Sequence, residues 1–204
     1  MPCGRRPEPR IGRRQLLGVG LAWSAAVGGG PAAGQTPSPD AEALLRAGGV
    51  VLALRHALAP GSFDPPEFRI GDCSTQRNLG DEGRAQARRL GAWFHSRGLK
   101  PARVRSSPWC RCVDTAMLAF GAAETWAALG SPRGAVETTN AEHRRALHQA
   151  LRAVSMRPGH FEVWVTHMFV LSDLVAGSVA SGEALLLRAG PDGQPLLLAR
   201  LASA

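Results

Sequence analysis

The chain has no tyrosine and one lysine, Lys100, among its 204 residues, and aromatics make up 5% of it. These shortages weigh against nucleic-acid binding, because such surfaces usually interleave Lys/Arg stripes with stacking aromatics. The formal charge of +8 does not restore that reading, because it is unevenly placed. Arg5, Arg6, Arg10, Arg13 and Arg14, set against Glu8, put a net +4 into residues 1–34. The remainder, also +4, is only mildly basic. A long apolar run is missing too. The stretch from Leu16 to Val27 is about a dozen residues, short of the roughly 20 that span a bilayer.

What residues 1–34 do contain reads as a targeting segment. A twin arginine, Arg13-Arg14, precedes the apolar stretch, and small residues at Ala32 and Gly34 suit cleavage before Gln35. A twin-arginine (Tat) export signal is therefore expected. With it comes a periplasmic or secreted mature protein with no stable membrane anchor after signal cleavage. Residues 35–48 read as linker and lead-in, and residues 49–204 as one domain. The 45% hydrophobic content is enough for its core. Cysteine is scarce as well. After cleavage Cys73, Cys110 and Cys112 would remain, an odd number for an oxidising compartment. A disulfide from Cys73 to either Cys110 or Cys112 is expected. The alternative, zinc, has poor spacing here.

The apolar run Val50–Leu54 predicts a buried strand, which ends in Arg55-His56. A Pro-, Gly- and Asp-rich loop follows to Leu79. Helices are predicted over 81–97 (stopped by Gly98), 108–120, 140–155 (capped by Asn140) and 168–176. Further strands are predicted over 102–106, 135–138 and 161–166, and a hairpin over 183–188 and 195–201. The alternation implies a three-layer α/β/α architecture with a mostly parallel central sheet.

Three chemically useful groups fall at the carboxyl edge of that sheet, where open α/β folds hold ligands. They are Arg55-His56, Arg111 after the Ser106-Ser107-Pro108 turn, and His167 after the strand Phe161–Thr166. Taken singly, each has a bland reading as a loop, helix or core residue. Taken together, two histidines and two arginines suit a phosphate: arginine forks meet its oxygens bidentately, and an unprotonated imidazole can attack phosphorus. The helix opening near Pro108 would add backbone N–H donors. Arg77 and Asn78 are candidate substrate contacts or loop ties. Trp109 and Phe169 are candidate cleft walls or core.

The ordered segments LRHA, NLGDEGRAQARRLG, SSPWCRCVDTA and VTH resemble the histidine phosphatase superfamily, the phosphoglycerate-mutase-like proteins, over roughly Val50 to Glu183. The matching residues are Arg55 and His56; Leu79, Gly83, Gln86 and Ala87; Ser107, Arg111, Thr115 and Ala116; and His167. The resemblance implies that fold, His56 as the phosphorylated nucleophile, and a divalent metal as unnecessary. Ala57 stands where Gly is commoner, as in the small members. Gly71 to Leu79 resembles an exported bacterial subgroup, although Val170 stands where that subgroup often has Asn. Larger members take a proton donor from a Glu after a central strand. Glu142 is the candidate here, with Glu137 and Asp64 as others.

The expected function is a histidine acid phosphatase-type phosphomonoesterase acting on a small phosphorylated substrate, such as an envelope sugar phosphate, without a cofactor. Export argues against a mutase and against a cytoplasmic phosphohistidine phosphatase. The alternative is a non-catalytic phosphate-ligand binder of the same fold.

Overall fold

The computed structural model describes residues 39–132 and 137–202. The expected export signal and residues 35–38 of the expected linker lie outside them. The described elements run α1 (Pro39–Ala47), β1 (Val50–Arg55), α2 (Asp81–Ser96), β2 (Arg103–Ser106), α3 (Cys110–Phe120), β3 (Glu124–Thr125), α4 (Glu137–Ser155), β4 (Phe161–Thr166), α5 (Met168–Leu174), β5 (Ala184–Ala189) and β6 (Pro195–Leu201).

One six-stranded sheet has the order β3-β2-β4-β1-β5-β6. The first four strands in that order are parallel; β5 pairs antiparallel with β1, and β6 antiparallel with β5, so β5 alone runs against the rest. This is the expected α/β architecture with a mostly parallel sheet. Alternate residues of a strand face opposite sides, and the core divides accordingly. Val50, Leu52 and Leu54 of β1, with Val163 and Val165 of β4, pack on Leu45 of α1, Leu90 and Phe94 of α2 and Ala116 of α3. Val51, Ala53 and Trp164 face the other way, onto Leu147, Leu151 and Val154 of α4 and Leu171 of α5. Strands β1 and β4 are buried along nearly their whole length. That is why β1 reads as an unbroken apolar run up to Arg55, and β4 as an apolar run interrupted by the buried Glu162.

Several boundaries differ from the sequence expectation. Residues 39–47, expected as linker, form α1, because Ala41 and Leu45 share a face that joins the core. Helix α4 starts at Glu137, so Asn140 is not its cap and Glu137-Thr138 are not strand. Residues 135–136 of that expected strand lie outside the described residues. Helix α3 begins at Cys110, with Trp109 as its N-cap, rather than at Pro108. The 121–134 region, which showed no clear pattern, holds the two-residue β3 and a short 3-10 turn over Ala127–Leu129. Helix α2 stops as expected: Gly98 follows its cap at φ +60°, a conformation that glycine adopts without Cβ strain. Among the described residues, no helix is long and apolar enough to cross a membrane.

Candidate active site

Sheet register brings the candidate residues together. Strands β1 and β4 are adjacent and parallel, with Arg55 opposite Thr166. The next residues along, His56 and His167, therefore leave the sheet side by side, with ring centroids 5.5 Å apart. Strand β2 lies on the other side of β4, with Ser106 opposite Val165. Ser107 and the start of α3 consequently reach the same edge, and α3 carries Arg111 into it. Arg55, His56, Arg77, Arg111 and His167 line one cleft of about 390 Å³, together with Asp64 and Phe169.

His56 is 2% exposed, and its Nδ1 lies 2.8 Å from the Ala57 carbonyl. A carbonyl only accepts, so Nδ1 carries the proton and Nε2 keeps its lone pair. Burial, reinforced by the charges of Arg111, Arg77 and Arg55, outweighs the Ala57 hydrogen bond and lowers the His56 pKa to about 3. The ring is neutral at ordinary pH. Its backbone is held as well. The Ala57 amide donates to Thr115 Oγ1 at 3.0 Å, and the same hydroxyl donates to the Arg111 carbonyl at 2.7 Å. One buried threonine thus ties the strand end bearing His56 to the helix bearing Arg111.

His167 Nε2 lies 2.8 Å from Ser107 Oγ, which also accepts from the Trp109 amide. Its Nδ1 lies 3.5 Å from Arg111 Nη2. Both nitrogens are therefore engaged, and Trp109 packs edge-on against the ring. Burial first, then Arg111 and His56, holds this imidazole well below its usual pKa.

Arg111 is 4% exposed. Its fork grips Asp64 at both ends, Nη1 to Oδ1 at 2.7 Å and Nη2 to Oδ2 at 3.1 Å. Asp64 Oδ1 also accepts from the Arg77 amide at 3.0 Å. Burial raises the Asp64 pKa, but the hydrogen bonds from Arg111 and from the Arg77 amide outweigh it, and the net direction is down. Arg55 donates through Nη1 to Val179 O at 2.7 Å, and Arg77 donates through Nη1 to the Ala59 and Gly61 carbonyls. The Nε atoms of Arg55, Arg77 and Arg111 are all buried without a hydrogen-bond partner. Burial, then the Arg111 charge, lowers the pKa of Arg55 and of Arg77. Three crowded guanidiniums offset by one carboxylate make a site built for an anion.

Other sequence candidates fall elsewhere. Glu142 is exposed on α4 and does not line the cleft. It sits about 140° around the helix from the inward-facing Leu147. Glu137 is an exposed partner of Arg144. Asn78 donates through Nδ2 to the Cys73 carbonyl and is a loop tie, not a cleft residue. Gln76, beside the candidates Arg77 and Asn78 in sequence, is buried. Its Oε1 accepts from the Cys110 amide and its Nε2 donates to Arg69 O. The Cys110 N–H at the start of α3, expected among the phosphate donors, is therefore already in use. Cys73 is bonded to Cys110, and Cys112 is free and buried. Burial pushes the Cys112 thiol up to about 12. Val170 belongs to the core. Phe169 lines the cleft at 50% exposure, whereas Trp109 walls an adjoining hollow with Phe68. Among the described residues, no three His, Cys, Asp or Glu side chains group as a metal site would. Sequence reasoning missed the functions of Thr115 and Ser107. Their only signal was the spacing of the third motif.

The model of the histidine phosphatase superfamily (branch 1) matches residues 55–130, which hold Arg55, His56, Asp64, Arg77 and Arg111. No curated protein matches the chain. Several solved structures share its fold. The protein histidine phosphatase SixA in complex with tungstate superposes with a TM-score of 0.51 at 17% identity, covering 75% of this chain and 96% of that one. A phosphoserine phosphatase from Entamoeba histolytica, in complex with phosphoserine, gives 0.54 at 11%, covering 74% and 95%. A protein described as a putative alpha-ribazole-5'-P phosphatase from Escherichia coli gives 0.54 at 14%, covering 76% and 97%. At these identities the likeness is one of fold.

Proposed function

We propose that this chain hydrolyses small phosphomonoesters through a phosphohistidine on His56. The observation that carries the reading is the hydrogen bond from His56 Nδ1 to the Ala57 carbonyl, which leaves Nε2 unprotonated inside an arginine-lined cleft. The Nε2 lone pair would attack phosphorus as the P–O ester bond breaks. Arg55, Arg111, Arg77 and His167 would hold the remaining oxygens, so that growing negative charge meets donors already in place. Water would then attack the phosphohistidine, break the P–N bond and release phosphate. Three guanidiniums and Asp64 leave two net positive charges, matched to a phosphate dianion. The histidine phosphatase match and the phosphatase fold neighbours support the same reading.

The proposal extends to export by a Tat signal and to work in the periplasm or outside the cell, on a substrate such as an envelope sugar phosphate. The Cys73–Cys110 disulfide supports an oxidising compartment. Similarity of residues 71–79 to the exported bacterial subgroup supports it too. The competing reading, a phosphate binder without turnover, is favoured by one observation: Asp64, the carboxylate in the cleft, is held by the Arg111 fork. Hydrolysis of para-nitrophenyl phosphate by the wild type and by His56→Ala separates the two. Turnover in the wild type that disappears in the variant is expected. Phosphate binding without turnover in the wild type would establish the binder instead.

A further inference from the structure

The Arg111–Asp64 pair poses a problem for any phosphate site. The fork that should clasp the substrate's oxygens is filled by the protein's own carboxylate, at 2.7 and 3.1 Å. A carboxylate presents two oxygens to a guanidinium as a phosphate does, so the two compete for the same donors. Arg111 is almost fully buried, while the Asp64 side chain retains 20% of its exposure and sits at the cleft's edge. Asp64 belongs to the irregular chain between β1 and α2 and is held only through its side chain, by the Arg111 fork and the Arg77 amide. Rotation about its own side-chain bonds is enough to release it. Among the described residues, no other carboxylate lines the cleft.

Resting on the phosphatase reading, we infer that Asp64 is a substrate-displaced proton donor: it plugs the Arg111 fork and yields it to the incoming phosphoryl group. It then protonates the leaving oxygen. The two roles are linked by charge. Clasped by Arg111, the carboxyl group is held ionised and cannot act as an acid. Once the phosphoryl group takes Arg111, Asp64 loses its cation and faces a new anion, and both changes favour its protonated form. The substrate monoanion can supply that proton as the two groups exchange places. In the first step His56 Nε2 forms the P–N bond and the P–O ester bond breaks. Its electron pair stays on the ester oxygen, which takes the Asp64 proton. In the second step the Asp64 carboxylate removes a proton from water as the water oxygen bonds to phosphorus. The P–N electron pair then returns to His56. Asp64 passes that proton to the departing phosphate, which leaves as the monoanion, and the ionised carboxylate closes on Arg111. The groups facing Asp64 throughout are Arg111 and Arg77, with Arg55, His56 and His167 across the same cleft.

The test uses Asp64→Asn, with Asp64→Ser as a second variant in case the amide still holds the fork. Two readouts are needed. Inorganic phosphate, measured as a competitive inhibitor or by calorimetry, should bind the variants on the order of tenfold more tightly, the scale of one charge-assisted contact no longer opposed. Across a series of leaving groups, para-nitrophenyl phosphate should turn over with higher kcat/KM. An alkyl phosphate such as glycerol 2-phosphate should lose about 10²-fold or more in kcat, the usual scale of general-acid help. A merely structural role would lower both substrates alike and would not steepen the dependence on leaving group. Unchanged or weaker phosphate binding overturns the plug, and parallel losses overturn the donor. Should both variants fail to fold, a crystal structure of the wild type with tungstate decides the displacement. Asp64 away from Arg111 is expected, and the pair intact beside a bound anion overturns it. If the wild type fails to hydrolyse para-nitrophenyl phosphate, the phosphatase reading fails and the donor role falls with it, while phosphate affinity and the tungstate structure still decide the plug.

Discussion

Thr115→Val is the sharpest probe of how the site is held. Valine keeps the shape and the β-branching of threonine and removes only the hydroxyl. That hydroxyl accepts from the Ala57 amide and donates to the Arg111 carbonyl, and both Thr115 and Ala57 are 1% exposed. The substitution strands a buried N–H that water cannot reach, which costs about 1–3 kcal/mol. The Arg111 carbonyl loses less, because it sits in a helix whose own ladder can still use it. Taking about 2 kcal/mol in all, and 2–4 °C of Tm per kcal/mol for a domain of this size, Tm should fall by roughly 4–8 °C. Activity should fall further than stability alone explains. The Ala57 carbonyl that orients His56 is one peptide away from the stranded amide, and a displacement near 1 Å can cost about 10²-fold. Thr115→Ser is the control. It keeps the hydroxyl and deletes one methyl, for about 1 kcal/mol. Thermal melting and para-nitrophenyl phosphate kinetics on the three proteins settle the matter. If the valine variant melts no lower than the serine variant and turns over equally well, the hydroxyl bridge does not hold the site.

Removing the disulfide should free the chain around Asp64 and Arg77. With Cys73 and Cys110 separated by 37 positions in sequence, loop-closure entropy puts the loss for Cys73→Ser near 4 kcal/mol, readable as a lower denaturant midpoint that reductant reproduces in the wild type. Gly83→Ala should destabilise by about 1–3 kcal/mol, an overpacking cost, because its Cβ would lie 1.9 Å from the Leu58 carbonyl; an unchanged Tm would contradict that contact. The pH dependence follows from His56. Its folded pKa of about 3 lies below the ordinary 6.5, so between those values the unfolded chain binds the extra proton, and stability is lost as pH falls through that window. The nucleophile, by contrast, stays neutral down to the folded pKa. Initial rates should therefore persist at acidic pH wherever melting shows the protein folded, and a loss of kcat as pH falls through 6.5 would refute this.

Strands β1 and β4 were legible because burial on both faces makes them predominantly apolar, β4 carrying one charged residue, Glu162. The polar residues at their ends then stood out as Arg55-His56 and His167. The parallel register that sets the two histidines side by side follows from the βαβ order. Less could be read where tertiary contact decides. Helix α1 follows a Pro-rich stretch, and only its packing against the core distinguishes it from linker. The choice between Cys110 and Cys112 depended on where α3 begins. Two residues apart on a helix point about 200° from each other. Once the helix starts at Cys110, that residue meets Cys73, while Cys112 turns inward, 3.7 Å from the Thr166 carbonyl. The proton donor was the least legible part. Glu142 was favoured by the resemblance alone, whereas Asp64 lies in irregular chain, where no periodicity marks which side chain turns inward.

The long irregular segment between β1 and α2 supplies one wall of the cleft, and its order has an identifiable source. A stretch of more than 20 residues with one short 3-10 turn cannot satisfy its own backbone. Side chains from elsewhere do it instead. Thr115 takes the Ala57 amide, Gln86 Oε1 takes the Leu58 amide, and Arg77 reaches back to the Ala59 carbonyl. Gln76 bridges the Cys110 amide and the Arg69 carbonyl, and the disulfide fixes the same end covalently. Every one of these ties lands on α2, on α3 or within the segment itself. The cleft wall is therefore held against the two helices that also position Arg111. Asp64 is the exception, since its link to the scaffold runs through the group that the substrate needs. A wall tied everywhere except at its one carboxylate can exchange that carboxylate for a phosphate without unfolding, which is the arrangement a displaceable donor requires.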